Sequence, residues 1–204
     1  MRRGFLWLIL VFVPASFAFA ADGPVLVLGD SLSAAHGIRS DDGWVSLLGK
    51  RLAAATPARN VVNASISGET TAGGLARLPK LLAEHEPAVL VVELGANDAL
   101  RGLPVAAPRA NLERIISLAS AAGVRVVLLG IEIPVNYGPQ YRDALRSMYR
   151  DLARDFNLPL VPFLLDGVAL DPELMQADGL HPTAAAQPKL LDNVWPTLDA
   201  ALPK

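Results

Sequence analysis

Cysteine is absent from the 204 residues of this chain. Its absence excludes a thiol nucleophile, a metal site built on thiolates and any disulfide, so the fold depends on its apolar core. The sequence also lacks an HExxH motif and a loop rich in carboxylates. We therefore predict that the protein uses neither a metal ion nor a cofactor.

Basic residues are in slight deficit, and aromatic residues make up only 6% of the chain. Without Arg2 and Arg3, which belong to a leader described next, sixteen basic residues remain against twenty acidic ones. A weakly acidic chain with no basic patch and no interleaved aromatics does not suit a nucleic-acid partner. We expect a small-molecule partner instead, and a protein that acts as a monomer.

Long apolar runs are missing after the first twenty residues. Arg2 and Arg3 precede an apolar stretch at residues 5–13, and Ala-Phe-Ala at residues 18–20 matches the small-x-small pattern of a signal-peptide cleavage site. The stretch is too short for a stable bilayer anchor. The alternatives are an uncleaved N-terminal anchor and a twin-arginine signal.

We therefore divide the chain into two parts. Residues 1–20 are predicted to be a signal peptide cleaved after Ala20, and residues 21–204 are predicted to form one domain. The mature protein is expected to be periplasmic or secreted, with no stable membrane anchor.

Apolar runs rich in β-branched residues alternate with segments of helical spacing along the mature chain. The runs predict five strands, at residues 25–28, 61–62, 88–94, 124–129 and 158–163. The other segments predict helices at residues 44–55, 70–84, 108–122, 141–157 and 183–202. Pro188 and Pro196 are expected to kink or divide the last helix.

This alternation predicts an α/β fold. Strands that are apolar throughout, separated by helices, indicate a central five-stranded parallel sheet covered on both faces, which gives a three-layer α/β/α sandwich of the flavodoxin-like kind. Ligands of such sheets bind beyond the carboxyl ends of the strands. The polar clusters around Ser31, Gly68, Asn97 and His181 all follow predicted strands, so we expect them to meet at one edge of the domain.

Three residues have the chemistry of a serine hydrolase. Ser31 lies in Gly-Asp-Ser-Leu at residues 29–32, and Asp178 and His181 lie in Asp-Gly-Leu-His at residues 178–181. A hydroxyl needs a base within hydrogen-bond reach, and that base needs a third group to hold its tautomer. Each short motif alone is more typical of a turn.

The oxyanion that such chemistry forms needs hydrogen-bond donors set in place beforehand. Ser31 precedes a predicted helical turn, so its own N–H can point at that oxygen. Gly68 can bring a bare backbone N–H close, and Asn97 can add a side-chain amide, although Asn97 and Asp98 are also compatible with a helix cap.

The chain resembles the SGNH hydrolase family, also called GDSL esterases and lipases, over essentially the whole mature sequence. The four blocks of that family match the segments around Ser31, Gly68, Asn97 and His181, in order and at compatible spacing. The resemblance is closest to the branch of bacterial periplasmic thioesterases, lysophospholipases and arylesterases. It implies a Ser31, His181, Asp178 triad and an oxyanion hole formed by Ser31, Gly68 and Asn97.

This resemblance implies hydrolysis of carboxylic esters and thioesters of short to medium acyl chains through an acyl-enzyme. The loops after the third and fourth strands would bind the substrate, with Leu103, Pro104, Ile133, Pro134 and Tyr137 as its apolar contacts. Residues 72–82 resemble a mobile loop that covers the acyl chain, but their leucine spacing equally predicts a core-facing helix. The alternatives for function are a carbohydrate O-acetylesterase and a non-catalytic periplasmic binding domain.

Five other polar residues have a structural interpretation. Asp30 and Asp98 are interpreted as hydrogen-bond partners of the site. Glu93 ends an apolar strand, which indicates a partly buried, satisfied charge rather than a general acid. His36 and His85 lie outside the family blocks, so we interpret both as ordinary surface residues.

Overall fold

The computed structural model describes residues 22–203, so the predicted signal peptide lies outside the described residues. Five parallel strands form one sheet: β1 (Val25–Gly29), β2 (Val61–Asn63), β3 (Val89–Glu93), β4 (Arg125–Leu129) and β5 (Leu160–Val161). The strand order is β2-β1-β3-β4-β5. This is the flavodoxin-like order, and it confirms the predicted fold class.

Six α-helices lie between or after the strands within the described part of the chain. They are α1 (Trp44–Ala53), α2 (Thr71–His85), α3 (Ala96–Leu100), α4 (Ala106–Ala121), α5 (Pro139–Asp155) and α6 (Gln187–Ala201). None of the helices in residues 22–203 is long and apolar enough to cross a membrane.

Strand periodicity builds the two apolar cores. Successive side chains point to opposite faces of a sheet, so Val25 and Val27 pack on the α1–α6 side while Leu26 and Leu28 pack on the other side. The second face is covered by α2, α4 and α5. All of β1 and β3 is buried, which explains why their sequences are apolar throughout rather than alternating.

Two helices differ from the sequence prediction. Five-residue α3 was not predicted, because so short a segment shows no helical period. Of the expected kink or division of the last helix at Pro196, the division is wrong, since α6 continues through that residue. Val194 and Leu198 lie in the core on either side of Pro196, so tertiary packing outweighs the local cost of proline, about 3 kcal/mol. Pro188 stands in the first turn of α6, where a missing N–H costs little.

Residues 72–82 are helical and belong to α2. Leu78 and Leu82 from this segment are buried in the core beneath the sheet face. The core-facing helix is therefore the structure that this segment adopts here.

Candidate active site

The candidate site lies where β1 and β3 are adjacent, beyond their carboxyl ends. The chain leaves these two strands toward opposite faces of the sheet, which opens a crevice at this edge. A cavity of about 260 Å³ fills the crevice, and Ser31, Gly68, Asn97 and His181 all line it. The residues that the sequence placed in four separate blocks are thus brought together by the strand order.

Ser31 sits in a tight turn directly after β1. The Leu32 N–H donates to Asp30 Oδ1 (3.1 Å), and the Ala34 N–H donates to the Asp30 carbonyl oxygen (2.9 Å). An aspartate that bonds the backbone two residues ahead stabilises such a turn. The turn directs the Ser31 hydroxyl toward the loop that precedes α6.

The hydroxyl, imidazole and carboxylate form one hydrogen-bonded chain. His181 Nε2 lies 2.9 Å from Ser31 Oγ, and His181 Nδ1 lies 2.6 Å from Asp178 Oδ2. The bond between Ser31 and His181 joins residues 150 positions apart in the sequence. With Nδ1 donating to the carboxylate, the unprotonated Nε2 is free to accept the serine proton.

Asp178 is fixed by its own local turn. Its Oδ1 accepts the N–H groups of Leu180 (2.9 Å) and His181 (3.0 Å), and Gly179 adopts φ +66°, a conformation that favours glycine. The bond from the His181 ring, followed by the two backbone N–H groups, holds the pKa of the Asp178 carboxyl well below its usual range. Asp178 therefore remains ionised, and its side chain, 42% exposed, loses little hydration.

Three hydrogen-bond donors border the cavity beside Ser31. The backbone N–H groups of Ser31 and Gly68 have no acceptor among residues 22–203. Gly68 adopts φ +81°, and the space beside its Cα is open. Asn97 Nδ2 donates to Asp30 Oδ2 (3.1 Å) and to the Glu69 carbonyl oxygen (2.9 Å). Asn97 lies in the first turn of α3 and does not cap it, since Gly95 occupies the N-cap position.

Asp98 has the structural surroundings expected from the sequence. Its carboxylate accepts the Thr71 N–H (2.9 Å) and the Thr71 hydroxyl (2.6 Å). These bonds join the start of α2 to the first turn of α3. They therefore hold together the two segments that carry Gly68 and Asn97.

Glu93 differs from the sequence interpretation, because it is completely buried and only half satisfied. Its Oε2 accepts the Asp30 N–H (3.1 Å) and the Ser33 hydroxyl (2.8 Å). Its Oε1 is buried and receives no hydrogen bond from a described residue. The Asp30 carboxyl is equally buried, and it acts electrostatically on that of Glu93. Two buried acidic groups therefore lie directly behind the turn that carries Ser31.

His36 belongs to the site, which sequence analysis missed. Its ring centroid lies 4.3 Å from that of His181, with the ring planes tilted by 39°. His36 Nδ1 lies 3.4 Å from Ser67 Oγ, and its carbonyl oxygen accepts a hydrogen bond from Gln176 Nε2 (2.8 Å). No motif marks His36, because its role arises only from the folding of the first loop against the last. His85 lies in the last turn of α2, away from the cavity.

The predicted substrate contacts divide into two groups. Ile133 and Pro134 line the cavity, while Leu103, Pro104 and Tyr137 are not part of its lining. Tyr137 instead donates from its hydroxyl to the Leu100 carbonyl oxygen (2.9 Å), which braces the rim. The remaining apolar wall, which the sequence did not predict, consists of Leu32, Ala96, Leu100, Ile131, Leu165 and Leu180.

A second cavity of about 350 Å³ adjoins the first. The two share Glu132, Ile133, Pro134, Leu165 and Leu180 as lining residues. Beyond this shared wall the second cavity is mostly apolar, with Val135, Phe163, Leu170 and Met175 along it. Within residues 22–203 no group of three or more metal-ligating side chains comes together.

Comparison with known proteins agrees with this geometry. The model of the GDSL-like Lipase/Acylhydrolase family matches residues 27–187. Esterase TesA of Pseudomonas aeruginosa is 54% identical over 90% of this chain and 91% of its own length. Thioesterase 1/protease 1/lysophospholipase L1 of Escherichia coli is 43% identical over 92% of this chain and 87% of its own length.

A solved structure shares the same fold. The psychrotrophic esterase EstA from Pseudoalteromonas sp., in a form inhibited by monoethylphosphonate, has a TM-score of 0.84 and 40% identity, over 90% of this chain and all of its own. The serine turn, the histidine loop and the flavodoxin-like sheet therefore coincide with a match that spans most of the sequence. This chain belongs to the GDSL-like lipase and acylhydrolase family, whose named relatives here are ester hydrolases.

Proposed function

We propose that this protein hydrolyses carboxylic esters and thioesters of short to medium acyl chains through Ser31. The observation that carries the proposal is the continuous hydrogen-bonded chain from Ser31 Oγ through His181 to Asp178. A binding domain without catalytic activity has no need for this arrangement beside an apolar cavity.

The reaction follows from the positions of the three groups. Ser31 Oγ attacks the carbonyl carbon while His181 Nε2 takes the hydroxyl proton. When the tetrahedral intermediate collapses, the bond to the leaving oxygen or sulfur breaks, and His181 returns the proton to that atom. Water then attacks the acyl-serine with the same base, which releases the acid and restores the Ser31 hydroxyl. Asp178 remains ionised and stabilises the imidazolium in both steps.

The oxyanion of each intermediate is assigned to three donors. The N–H groups of Ser31 and Gly68 have no protein acceptor, so a substrate oxygen can receive both. Asn97 is proposed as the third donor and must share one of its two amide hydrogens, because Asp30 and Glu69 already accept from the same nitrogen. Donors held in this way need little rearrangement as the negative charge forms.

The substrate class is inferred from the cavity walls. Apart from the reacting groups, the lining of the inner cavity is mostly apolar, with Glu132, His36 and Ser67 among its polar residues. The outer cavity continues the apolar wall. Such walls suit an alkyl or aryl group better than a sugar ring, which favours acyl esters over acetylated carbohydrates. The names of two relatives, Esterase TesA and Thioesterase 1/protease 1/lysophospholipase L1, support the same class.

The test of this function is covalent labelling with a fluorophosphonate together with hydrolysis of a substrate panel. Ser31→Ala should lose labelling and at least about a thousandfold of kcat, because no other nucleophile replaces the hydroxyl. Ser67→Ala is the matched control and should remain labelled, since Ser67 lines the same cavity but bonds only His36. A folded Ser31→Ala protein that still reacts would contradict the assignment.

The panel contains p-nitrophenyl esters, acyl-CoA thioesters, lysophospholipids and acetylated sugars. The proposal requires turnover of the acyl esters and thioesters to exceed that of the acetylated sugars. The reverse order would favour the O-acetylesterase alternative.

We also propose that the mature enzyme begins at Ala21, is exported and acts as a monomer. The basic, apolar and small-residue segments of residues 1–20 support export. Cell fractionation with N-terminal sequencing tests the cleavage, and sedimentation of the purified enzyme tests its oligomeric state.

A further inference from the structure

Glu93 ends β3 without any contact with solvent. Its carboxyl accepts hydrogen bonds from the Asp30 N–H (3.1 Å) and the Ser33 hydroxyl (2.8 Å), both on a single oxygen. The other oxygen is buried and accepts no hydrogen bond from the described residues. A buried carboxylate with one oxygen that accepts no hydrogen bond costs free energy of folding.

A second buried acid increases this cost. Asp30, whose N–H bonds Glu93 Oε2, is equally buried, and its carboxylate acts electrostatically on that of Glu93. Around Glu93 the titratable groups are Asp30, from the turn after β1, and Tyr149, from α5. Around Asp30 they are Glu93 and His181, from the loop before α6. No lysine or arginine in residues 22–203 is among the groups that act on this pair.

The electrostatics favour one shared proton. Burial, and then the adjacent Asp30 charge, raise the pKa of Glu93 well above its ordinary range. Burial also raises the pKa of Asp30, to about 6, although the Leu32 N–H, Glu93, His181 and Asn97 all stabilise its charged form. Asp30 has the bonds that suit an anion, so the proton belongs on Glu93.

We propose that Glu93 is a positioning residue that stays protonated in the folded enzyme and donates a hydrogen bond to the Asp30 carboxylate, which in turn holds the Asn97 amide at the oxyanion site. A proton between the two carboxyl groups removes one buried charge and adds one hydrogen bond. Asp30 Oδ2 is then free to accept from Asn97 Nδ2 (3.1 Å). The acid thus acts through Asp30 and Asn97 and never touches substrate.

The proposal explains why an acid stands at this position. An apolar residue would leave the Asp30 N–H and the Ser33 hydroxyl without an acceptor in the interior. An ionised glutamate would repel Asp30 and turn it away from Asn97. A neutral carboxyl accepts on one oxygen and donates from the other, which meets both requirements.

The first test compares unfolding of the wild type, Glu93→Gln and Glu84→Gln from about pH 6 to pH 8. In this range the folded wild type holds a proton on Glu93 that the unfolded chain has released, so its unfolding constant should rise with pH by about tenfold per unit more steeply than that of Glu93→Gln. Glu84, exposed on α2, is the matched control, and its substitution should leave the wild-type slope unchanged. Equal slopes in all three proteins would overturn the protonated state.

Infrared difference spectroscopy of the same proteins gives an independent readout. The folded wild type near neutral pH should show the C=O stretch of a protonated carboxyl, and Glu93→Gln should lack it, while Glu84→Gln retains it. A spectrum without this band, or a band that survives Glu93→Gln, would contradict the proposal. Neither this experiment nor the unfolding series needs turnover, so both remain decisive if the Ser31 assignment fails.

The positioning role rests on the proposed function and is tested by kinetics. Glu93→Leu should lower kcat about tenfold or more with little change in KM, because it disturbs a group that acts on the transition state. Glu93→Gln, whose amide also accepts and donates, should rescue most of kcat. Equal losses of kcat in the two variants would overturn the role. If Glu93→Leu does not fold, a loss of more than about tenfold in a folded Glu93→Gln would overturn it.

Discussion

Asn97 shows how single residues are held ready before substrate arrives. Its amide nitrogen donates to the Asp30 carboxylate and to the Glu69 carbonyl oxygen, and these two bonds fix its orientation in the first turn of α3. Fixed donors stabilise a developing charge more than mobile ones, because no reorganisation is needed during the reaction. Asn97 should therefore affect the rate of the chemical step and have little effect on substrate binding.

Asn97→Ala should lower kcat by about 10²–10³-fold and leave KM nearly unchanged. Phosphonate labelling of Ser31 should continue at a reduced rate, since the nucleophile and its base remain. Asn111→Ala is a suitable control, because its amide bonds the Thr71 hydroxyl (3.0 Å) rather than a group at the cavity. A lowered melting temperature with unchanged kcat would make Asn97 a purely structural residue.

The His36 ring packs against the His181 ring and is expected to help hold the imidazole of His181 in position. His36→Ala should reduce kcat/KM by about two- to tenfold, because packing against an aromatic ring is worth about 0.5–1.5 kcal/mol to the position of the His181 imidazole. His36→Phe should restore most of this loss. His85→Ala should not change kcat/KM, and an equal loss in His85→Ala would show that the effect is not local.

Helix α3 is the element on which the oxyanion site depends. It begins two residues after β3, and Gly95 adopts φ +124° where the chain turns from strand to helix. A Cβ at Gly95 would overlap the hydroxyl oxygen of Tyr149. That hydroxyl donates to the Leu94 carbonyl oxygen (2.8 Å), and Tyr149 is fully buried.

Gly95→Ala should cost about 2–4 kcal/mol of stability, because it adds backbone strain and displaces a buried ring. It should also lower kcat, since α3 carries Asn97. Gly102→Ala separates the two causes: Gly102 has φ +69° but nothing within 4 Å of an added Cβ, so only about 1 kcal/mol is expected. Thermal melting of both variants checks the ranking, and similar losses would exclude the clash.

The elements differ in how far the sequence could predict them. The runs at Val89–Glu93 and Arg125–Leu129 are long and apolar, so their strands were predicted within one or two residues. β5 has only Leu160 and Val161 in the ladder, because the prolines at 159 and 162 on either side have no N–H to donate to β4. The continuity of α6 depends on packing against the sheet, which a local proline rule does not include.

At the scale of the whole molecule, motifs predicted the residues of the candidate site, and the strand order explains why they meet. Ser31, Gly68, Asn97 and His181 could be predicted because each lies in a short motif after a predicted strand and has a side chain or N–H suited to ester hydrolysis. The protonated acid proposed at Glu93 and the ring contact of His36 could not be found. Both depend on distances between segments that no local pattern encodes.

The 150-residue separation of Ser31 and His181 has a consequence for how activity arises. The proposed nucleophile follows the first strand and the proposed base precedes the last helix. A chain that refolds from its N-terminus should therefore stay inactive until its final segment docks. Closing so long a loop is entropically costly, and only the completed sheet offsets that cost. During refolding, esterase activity should therefore never precede recovery of helical circular dichroism. The time at which hydrolysis returns reports when the last segment docks.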